Sequence, residues 1–339
     1  GLTATDSVFL YVDGAIDQKG IATSTSHSFT TSALSDNTHE IKIKVKDYAG
    51  NVSDFSSSLS MRVDTTPFTI ASAPDLIDAD DTGISSSDNI TNKRKPSFEF
   101  AQLSSKTDSI RLFLNNGISN EFVVGGRKNI DVLKDTLTIP NASRLDEGTY
   151  ILTYVVVDSA GNTSAASAGT TIEVDFTAPD VANAPDLSAS DDSGDSASDN
   201  LTNVSTMALS TTGLTAGDFG LLYKDNVLID SLIVPGGGSL TFSVANTTDG
   251  TYTYHAVAQD TAGNRSTNST TIDIIVDQTA PDVTAVSIDL DNASDTGIKN
   301  DDNLTNDSTP RFDVANVTVT DSVFLYFNGS DSVALKAAT

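Results

Sequence analysis

Three copies of one acidic string hold the densest potential chemistry in this chain. Each reads Asp-[Ser/Thr]-Gly-x4-Asp-Asn-[Ile/Leu]-Thr-Asn, and they run from Asp81 to Asn92, Asp192 to Asn203 and Asp295 to Asn306. Two carboxylates stand seven residues apart in every copy: Asp81 and Asp88, Asp192 and Asp199, Asp295 and Asp302. Asn89, Asn200 or Asn303 follows at once, and Asp80 and Asp191 precede the first two copies. A second string, Asp-x-Ala-Gly-Asn-x-Ser, starts at Asp47, Asp158 and Asp260, and a Val-Asp pair ends at Asp64, Asp175 and Asp277. Carboxylates, amide oxygens and glycines that let a loop curl back are the ligand chemistry of calcium, which takes six to eight oxygens in flexible geometry. Magnesium, with its tight octahedron and retained waters, fits less well. The same residue types also build turns by bonding to their own backbone, so a turn-only reading stands beside the ligand reading for any single string.

Composition narrows the chemistry further. The 339 residues carry 46 acidic and 19 basic side chains, a formal charge of −27. Such a surface repels nucleic acid and anionic membranes, and cations are its natural partners. There is no cysteine, which removes thiol nucleophiles, thiolate zinc sites and disulfide staples and leaves metal as the substitute staple for small domains. His27, His39 and His255 are the three histidines, and none has a ligand spacing to another; His39 and His255 read as strand side chains. The carboxylate pairs recur once per repeat, whereas a glycosidase needs one pair in one cleft. Gly125-Gly126 and Gly236-Gly237-Gly238 lack the Lys-[Ser/Thr] of a phosphate loop and read as hairpin turns. An enzyme is therefore not expected. No apolar run reaches membrane-spanning length, and no signal peptide is visible at Gly1.

The strings also define the elements that position them. The acidic string recurs at steps of 111 and 103 residues, the size of a small domain. The aspartate opening the second string lies 17 residues before the aspartate of the Val-Asp pair in all three cases, so length variation falls in mid-domain loops. Each Val-Asp pair leads into Pro67, Pro179 or Pro281, which ends a ladder and stiffens the join. The expected divisions are 1–66 (the later part of a repeat), 67–178 and 179–280 (complete repeats) and 281–339 (the early part of a repeat). Thr5-Asp6-Ser7-Val8-Phe9-Leu10-Tyr11 recurs as Thr320 to Tyr326, which suggests a window of a longer array.

Within 67–178, strands are expected at 72–77, 96–101, 109–115, 120–125, 134–139, 149–157 and 168–175. Seven short strands in about a hundred residues point to an all-β, Greek-key β-sandwich, with a barrel as the alternative. Tyr150 and Tyr252 follow a turn eight residues before Asp158 and Asp260, the place of the tyrosine corner in immunoglobulin-like domains. His39 takes that place in the first repeat and is expected to weaken the corner there. Phe98, Leu209 and Phe312 share one repeat position and read as core residues.

The Val-Asp-x-Thr-Ala-Pro linkers, Asp-x-Ala-Gly-Asn turns and acidic strings together resemble the bacterial immunoglobulin-like repeats of giant surface adhesins and biofilm proteins. The resemblance covers essentially the whole chain. It implies tandem immunoglobulin-like sandwiches in an extracellular, rod-like array, often calcium-loaded between domains.

Sandwich topology then places the strings. The loop between the first two strands, the turn before the sixth and the end of the last strand face the next repeat. One junction would collect Asp80, Asp81, Asp88, Asp146, Glu147 and Asp175 from repeat 67–178, with Asp218 and Asp260 from the next. Asp47, Asp64, Asp108, Asp158, Asp191, Asp192, Asp199, Asp249, Asp277, Asp295, Asp302 and Asp321, with Asn89, Asn200 and Asn303, hold the equivalent places, and Asp75, Asp180, Asp186 and Asp282 are reserves. Up to eight carboxylates would meet there; uncompensated, they would force the domains apart or raise several pKa values, and a hard divalent cation resolves the conflict. The third acidic string, with no following repeat, is expected to be the least ordered or least metal-loaded. The leading expectation is a calcium-stiffened extracellular spacer whose partners are its neighbouring repeats. Head-to-tail assembly through complementary half-domains is a second reading. A glycan- or receptor-binding module using segments 115–135 and 220–240 is a third, and a surface-layer subunit a fourth.

Overall fold

A computed structural model describes the whole chain except residues 71, 102–106, 116–121, 129–133, 195, 246–247, 319–320, 328–330 and 337–339; side chains of 101, 107–108, 122–128, 134–135 and 331–336 also lie outside the description. Residues 1–66 hold β1 (Ser7–Val12), β2 (Ala15–Ile21), β3 (Asn37–Lys46) and β4 (Leu59–Val63) in one antiparallel sheet ordered β2-β1-β3-β4. The next repeat holds β5 (Asp75–Leu76), β6 (Ile90–Thr91), β7 (Ser97–Ala101), β8 (Thr107–Asn115), β9 (Phe122–Lys128), β10 (Lys134–Thr138), β11 (Gly148–Asp158) and β12 (Thr170–Val174). The third reproduces it with β13 (Asp186–Leu187), β14 (Leu201–Thr202), β15 (Thr206–Thr211), β16 (Phe219–Lys224), β17 (Val227–Ile233), β18 (Leu240–Ala245), β19 (Gly250–Gln259) and β20 (Ile272–Val276). The last segment holds β21 (Ser287–Leu290), β22 (Phe312–Ala315), β23 (Ser322–Phe327) and β24 (Asp331–Lys336).

Each complete repeat is a sandwich of a three-stranded and a five-stranded sheet, ordered β10-β7-β5 over β6-β12-β11-β8-β9 and β13-β15-β18 over β14-β20-β19-β16-β17. Alternation drives this packing: along β11, Leu152, Tyr154 and Val156 are buried while Ile151 stands 48% exposed. One core gathers Phe98 and Phe100 with Leu112, Leu152, Tyr154 and Ile172; the other gathers Leu209 and Phe242 with Leu222, Tyr254 and Ile274. Phe98 and Leu209 are fully buried, and truncating either to Ala costs about 2–5 kcal/mol.

Two details lay outside the sequence reading. The end of the acidic string pairs in parallel with the last strand, Ile90 beside Glu173 and Leu201 beside Ile275, so β12 and β20 fix that loop. Serine hydroxyls also complete the ladder where the last strand departs. Ser164 and Ser167 Oγ accept from the N–H of Val156 and Tyr154, as Ser266 and Ser269 do from Ala258 and Ala256 and Ser53 and Ser56 do from Val45 and Ile43. Gly125 and Gly126 are not a hairpin turn but lie inside β9, opposite Arg111 where the pairing with β8 shifts register; a glycine pair relieves such a bulge. Gly236 to Gly238 lie in a turn between β17 and β18, but those strands belong to different sheets, so the turn is a crossover and not a hairpin.

The tyrosine corner is present. Tyr150 Oη donates to Asp146 O at 3.0 Å and Tyr252 Oη to Thr248 O at 3.2 Å. His39 keeps the same four-residue reach, with Nε2 2.8 Å from Ser35 O; the substitution preserves the corner it was expected to weaken.

Candidate metal centre between repeats

The acidic string folds the same way three times. Asn89 N–H donates to Asp81 Oδ2 at 3.1 Å, Asn200 N–H to Asp192 Oδ2 at 3.2 Å and Asn303 N–H to Asp295 Oδ2 at 3.1 Å. The asparagines take φ values of 62°, 61° and 60°, a left-handed conformation Asn tolerates better than most residues. Thr91, Thr202 and Thr305 Oγ1 donate back to the carbonyls of Asp80, Asp191 and Ser294. The first aspartate of each string is buried, 5–6% exposed, and its Oδ1 has no hydrogen-bond partner in any of the three copies. A buried carboxylate oxygen without a donor is costly, on the order of 1–3 kcal/mol or more. Burial pushes the Asp81 carboxyl up, the Asn89 N–H opposes this, and the facing Asp88 carboxylate pushes it up further.

The loop carrying Asp81 touches the next repeat. Thr82 Oγ1 donates to Ala262 O at 2.6 Å, and Asn264 Nδ2 to Asp175 O at 2.9 Å. Asn162 Nδ2 reaches Asp64 O one junction earlier, also at 2.9 Å. Gly83 (φ 101°) sits so close that a Cβ would lie 2.0 Å from Thr261 O, while a Cβ on Gly194 would meet nothing within 4 Å. Asp260 orients the bridging amide: Asn264 N–H donates to its Oδ1 at 2.8 Å and Nδ2 to its Oδ2 at 2.9 Å. Asp218, 8% exposed, lies within electrostatic reach of Asp260 and of Asp175 across the junction; burial, then these two carboxylates, push its carboxyl up. Asp6 takes the corresponding place before β1 and is held by Thr3 N–H and Oγ1.

Other expected ligands are committed elsewhere. Asp80 is an internal strap, 2.6 Å from Lys93 Nζ and accepting from Ser97 N–H at 2.7 Å; burial raises its carboxyl, and these bonds outweigh it to leave it lowered. Asp191 likewise takes Ala208 N–H at 2.7 Å. Asp146 pairs with Arg94 at 2.6 Å. Glu147 and Asp249 fasten the linkers, accepting from Phe176 N–H and Thr177 Oγ1 and from Gln278 N–H and Thr279 Oγ1. Asp36 does the same for Thr65 and Thr66, a role the sequence reading missed although the acid lies 29 residues before its partner amide each time.

Asp47 and Asp158 close their own turns on Asn51 and Asn162. Asp64, Asp175 and Asp277 accept from the N–H two residues on, as Asp88, Asp199 and Asp302 do. Asp321 donates its N–H to Thr318 O, and the Asp108 side chain lies outside the description. Among the described residues no three carboxylates or imidazoles gather closely enough to hold an ion alone. Two looser associations are visible instead: Asp88 acts on Asp81 within the loop, and Asp260 and Asp175 act on Asp218 at electrostatic range across the junction.

This architecture defines tandem immunoglobulin-like sandwiches. The chain belongs to the bacterial Ig-like domain family, which matches residues 69–176, 178–278 and 282–339. No curated protein sequence matches the chain. Among solved structures it is similar to the chicken CNTN1 FN1–FN3 domains, at 12% identity and TM-score 0.40, over 81% of this chain and 96% of that one. It is also similar to a Ca2+-stabilized, ice-binding adhesin of an Antarctic bacterium, at 18% identity and TM-score 0.33, over 86% and 69%. A tetra-tandem repeat from the extending region of a large adhesion protein matches at 19% identity and TM-score 0.25, over 86% and 71%. No helix among the described residues is long and apolar enough to cross a membrane.

Proposed function

We propose that the chain is a calcium-stiffened spacer in the extracellular stalk of a bacterial surface adhesin. The observation that carries this reading is the buried Oδ1 left without a donor at Asp81, Asp192 and Asp295. A hard cation satisfies such an oxygen where no N–H can. Asp81 and Asp88, Asp192 and Asp199, and Asp295 and Asp302 hold the ion in each loop, and Asp175, Asp218 and Asp260 offer further carboxylates at the junction between the complete repeats. Bound calcium supplies the positive charge that lets these acids sit together. The protein's own part is mechanical: Asn264 and Thr82 tie one repeat to the next, and Asp36, Glu147 and Asp249 hold the linkers against the repeat they leave. Small-angle scattering of the full chain with calcium and then with chelator tests the reading. The spacer predicts a longer, stiffer particle with calcium; an unchanged length and flexibility in chelator would contradict it.

A further inference from the structure

His39 does more than fill a tyrosine's place. Its ring lies in β3, with the residue 6% exposed, and both nitrogens face acceptors: Nε2 is 2.8 Å from Ser35 O and Nδ1 is 2.7 Å from Asp13 Oδ2. A neutral imidazole has one N–H and satisfies one of the two; only the imidazolium donates to both. Asp13 is itself fixed, its Oδ1 accepting from Glu40 N–H at 2.8 Å. The other charged groups nearby are occupied: Glu40 pairs with Lys42 at 2.8 Å, and Asp36 holds the linker. Across β4 the register partner of His39 is the uncharged Met61. The Tyr252 corner carries the same backbone bond, Thr253 N–H to Asp225 Oδ1, and its phenol turns to Thr248 instead.

The turn that His39 anchors is also the turn that holds the linker. Ser35 supplies the carbonyl, and the adjacent Asp36 accepts from Thr65 N–H at 2.8 Å and from both threonine hydroxyls. We propose that His39 makes the joint after residue 66 sensitive to pH, firm while the ring carries both protons and slack once one is lost. The joints after Tyr150 and Tyr252 lack the titrating group and stay firm across the same range. The Ser35 carbonyl first, and then Asp13, raise the imidazole above its ordinary 6.5. The sign follows: a raised histidine contributes stability fully below its ordinary value and loses it as pH rises through the folded value. The proposal rests on the repeat array but not on calcium, so its test is run in chelator.

The test is ring-proton NMR and amide exchange on the labelled full chain at about pH 6 and pH 8, values that bracket an ordinary histidine. His39 is expected to titrate above the ordinary value. The protection factor of Thr65 should fall by about tenfold at the higher pH, the effect of one pKa unit of linkage, while Phe176 and Gln278 hold theirs. H39Y should abolish the fall. An ordinary His39 titration, steady Thr65 protection, or a fall that survives H39Y would overturn the proposal, and if H39Y does not fold the wild-type measurements decide alone.

Discussion

Asn264 donates its side-chain amide across the junction to the carbonyl of Asp175, 89 residues earlier in the chain, and Asn162 makes the matching bond to Asp64. The motif asparagine is thus both the closing residue of its own turn and a bridge between repeats. N264A should lower the melting temperature of its repeat, because it removes the Nδ2 bonds to Asp175 O and to Asp260 Oδ2, together about 2–4 kcal/mol. It should loosen the junction measurably, with faster hydrogen exchange at Thr177 and a broader range of particle lengths by scattering. Unchanged exchange and length would show that the bond does not hold the joint.

Gly83 and Gly194 offer a matched pair. Both have positive φ, 101° and 104°, but only Gly83 faces the backbone of a following repeat. Alanine at either place costs about 1–2 kcal/mol of backbone strain. G83A should in addition drive the junction apart, because the new methyl meets the Thr261 carbonyl at 2.0 Å. Equal scattering profiles for G83A and G194A would refute the close contact.

The raised carboxyls at Asp81 and Asp218 set a pH response in calcium-free solution. A carboxyl raised in the folded state binds its proton more tightly there, so stability rises as pH falls through its folded value and levels off below the ordinary 3.8. Asp158, lowered in the folded state because its bonds to Asn162 outweigh burial, acts oppositely and loses stability as pH falls through 3.8 and below. Melting in chelator between about pH 7 and pH 4 should therefore show a gain on mild acidification, and D81N should remove part of it. A monotonic loss from neutral pH would contradict these shifts.

The serines that accept from the central strand should matter to stability and not to metal. Removing Ser164 and Ser167 hydroxyls leaves the Val156 and Tyr154 amides without acceptors. S164A/S167A should cost about 2–4 kcal/mol, seen as a lower melting temperature with calcium affinity unchanged.

Much of the architecture was readable from spacing. Period-two alternation located the long strands, and the 17-residue interval reflects the fixed path from the Asp260 turn to Asp277. The short parallel pairing of Ile90 with Glu173 was not readable, since two residues carry no periodicity. The partners of each acid were not readable for a physical reason: composition shows which side chains are acidic, not which already have donors. Asp80 has Lys93 and Ser97, and Glu147 has Thr177, whereas Asp81 keeps one oxygen bare. The role of His39 escaped because a histidine in a strand gives no sign of two acceptors at its edges.

Anomalous diffraction from calcium-loaded crystals of the full chain tests the central claim most directly. The account predicts a peak within coordination distance, roughly 2.3–2.6 Å, of Asp81 Oδ1 and Asp192 Oδ1. No peak at either oxygen in saturating calcium, with Asp81 Oδ1 bound instead to water or to a proton shared with Asp88, would contradict it.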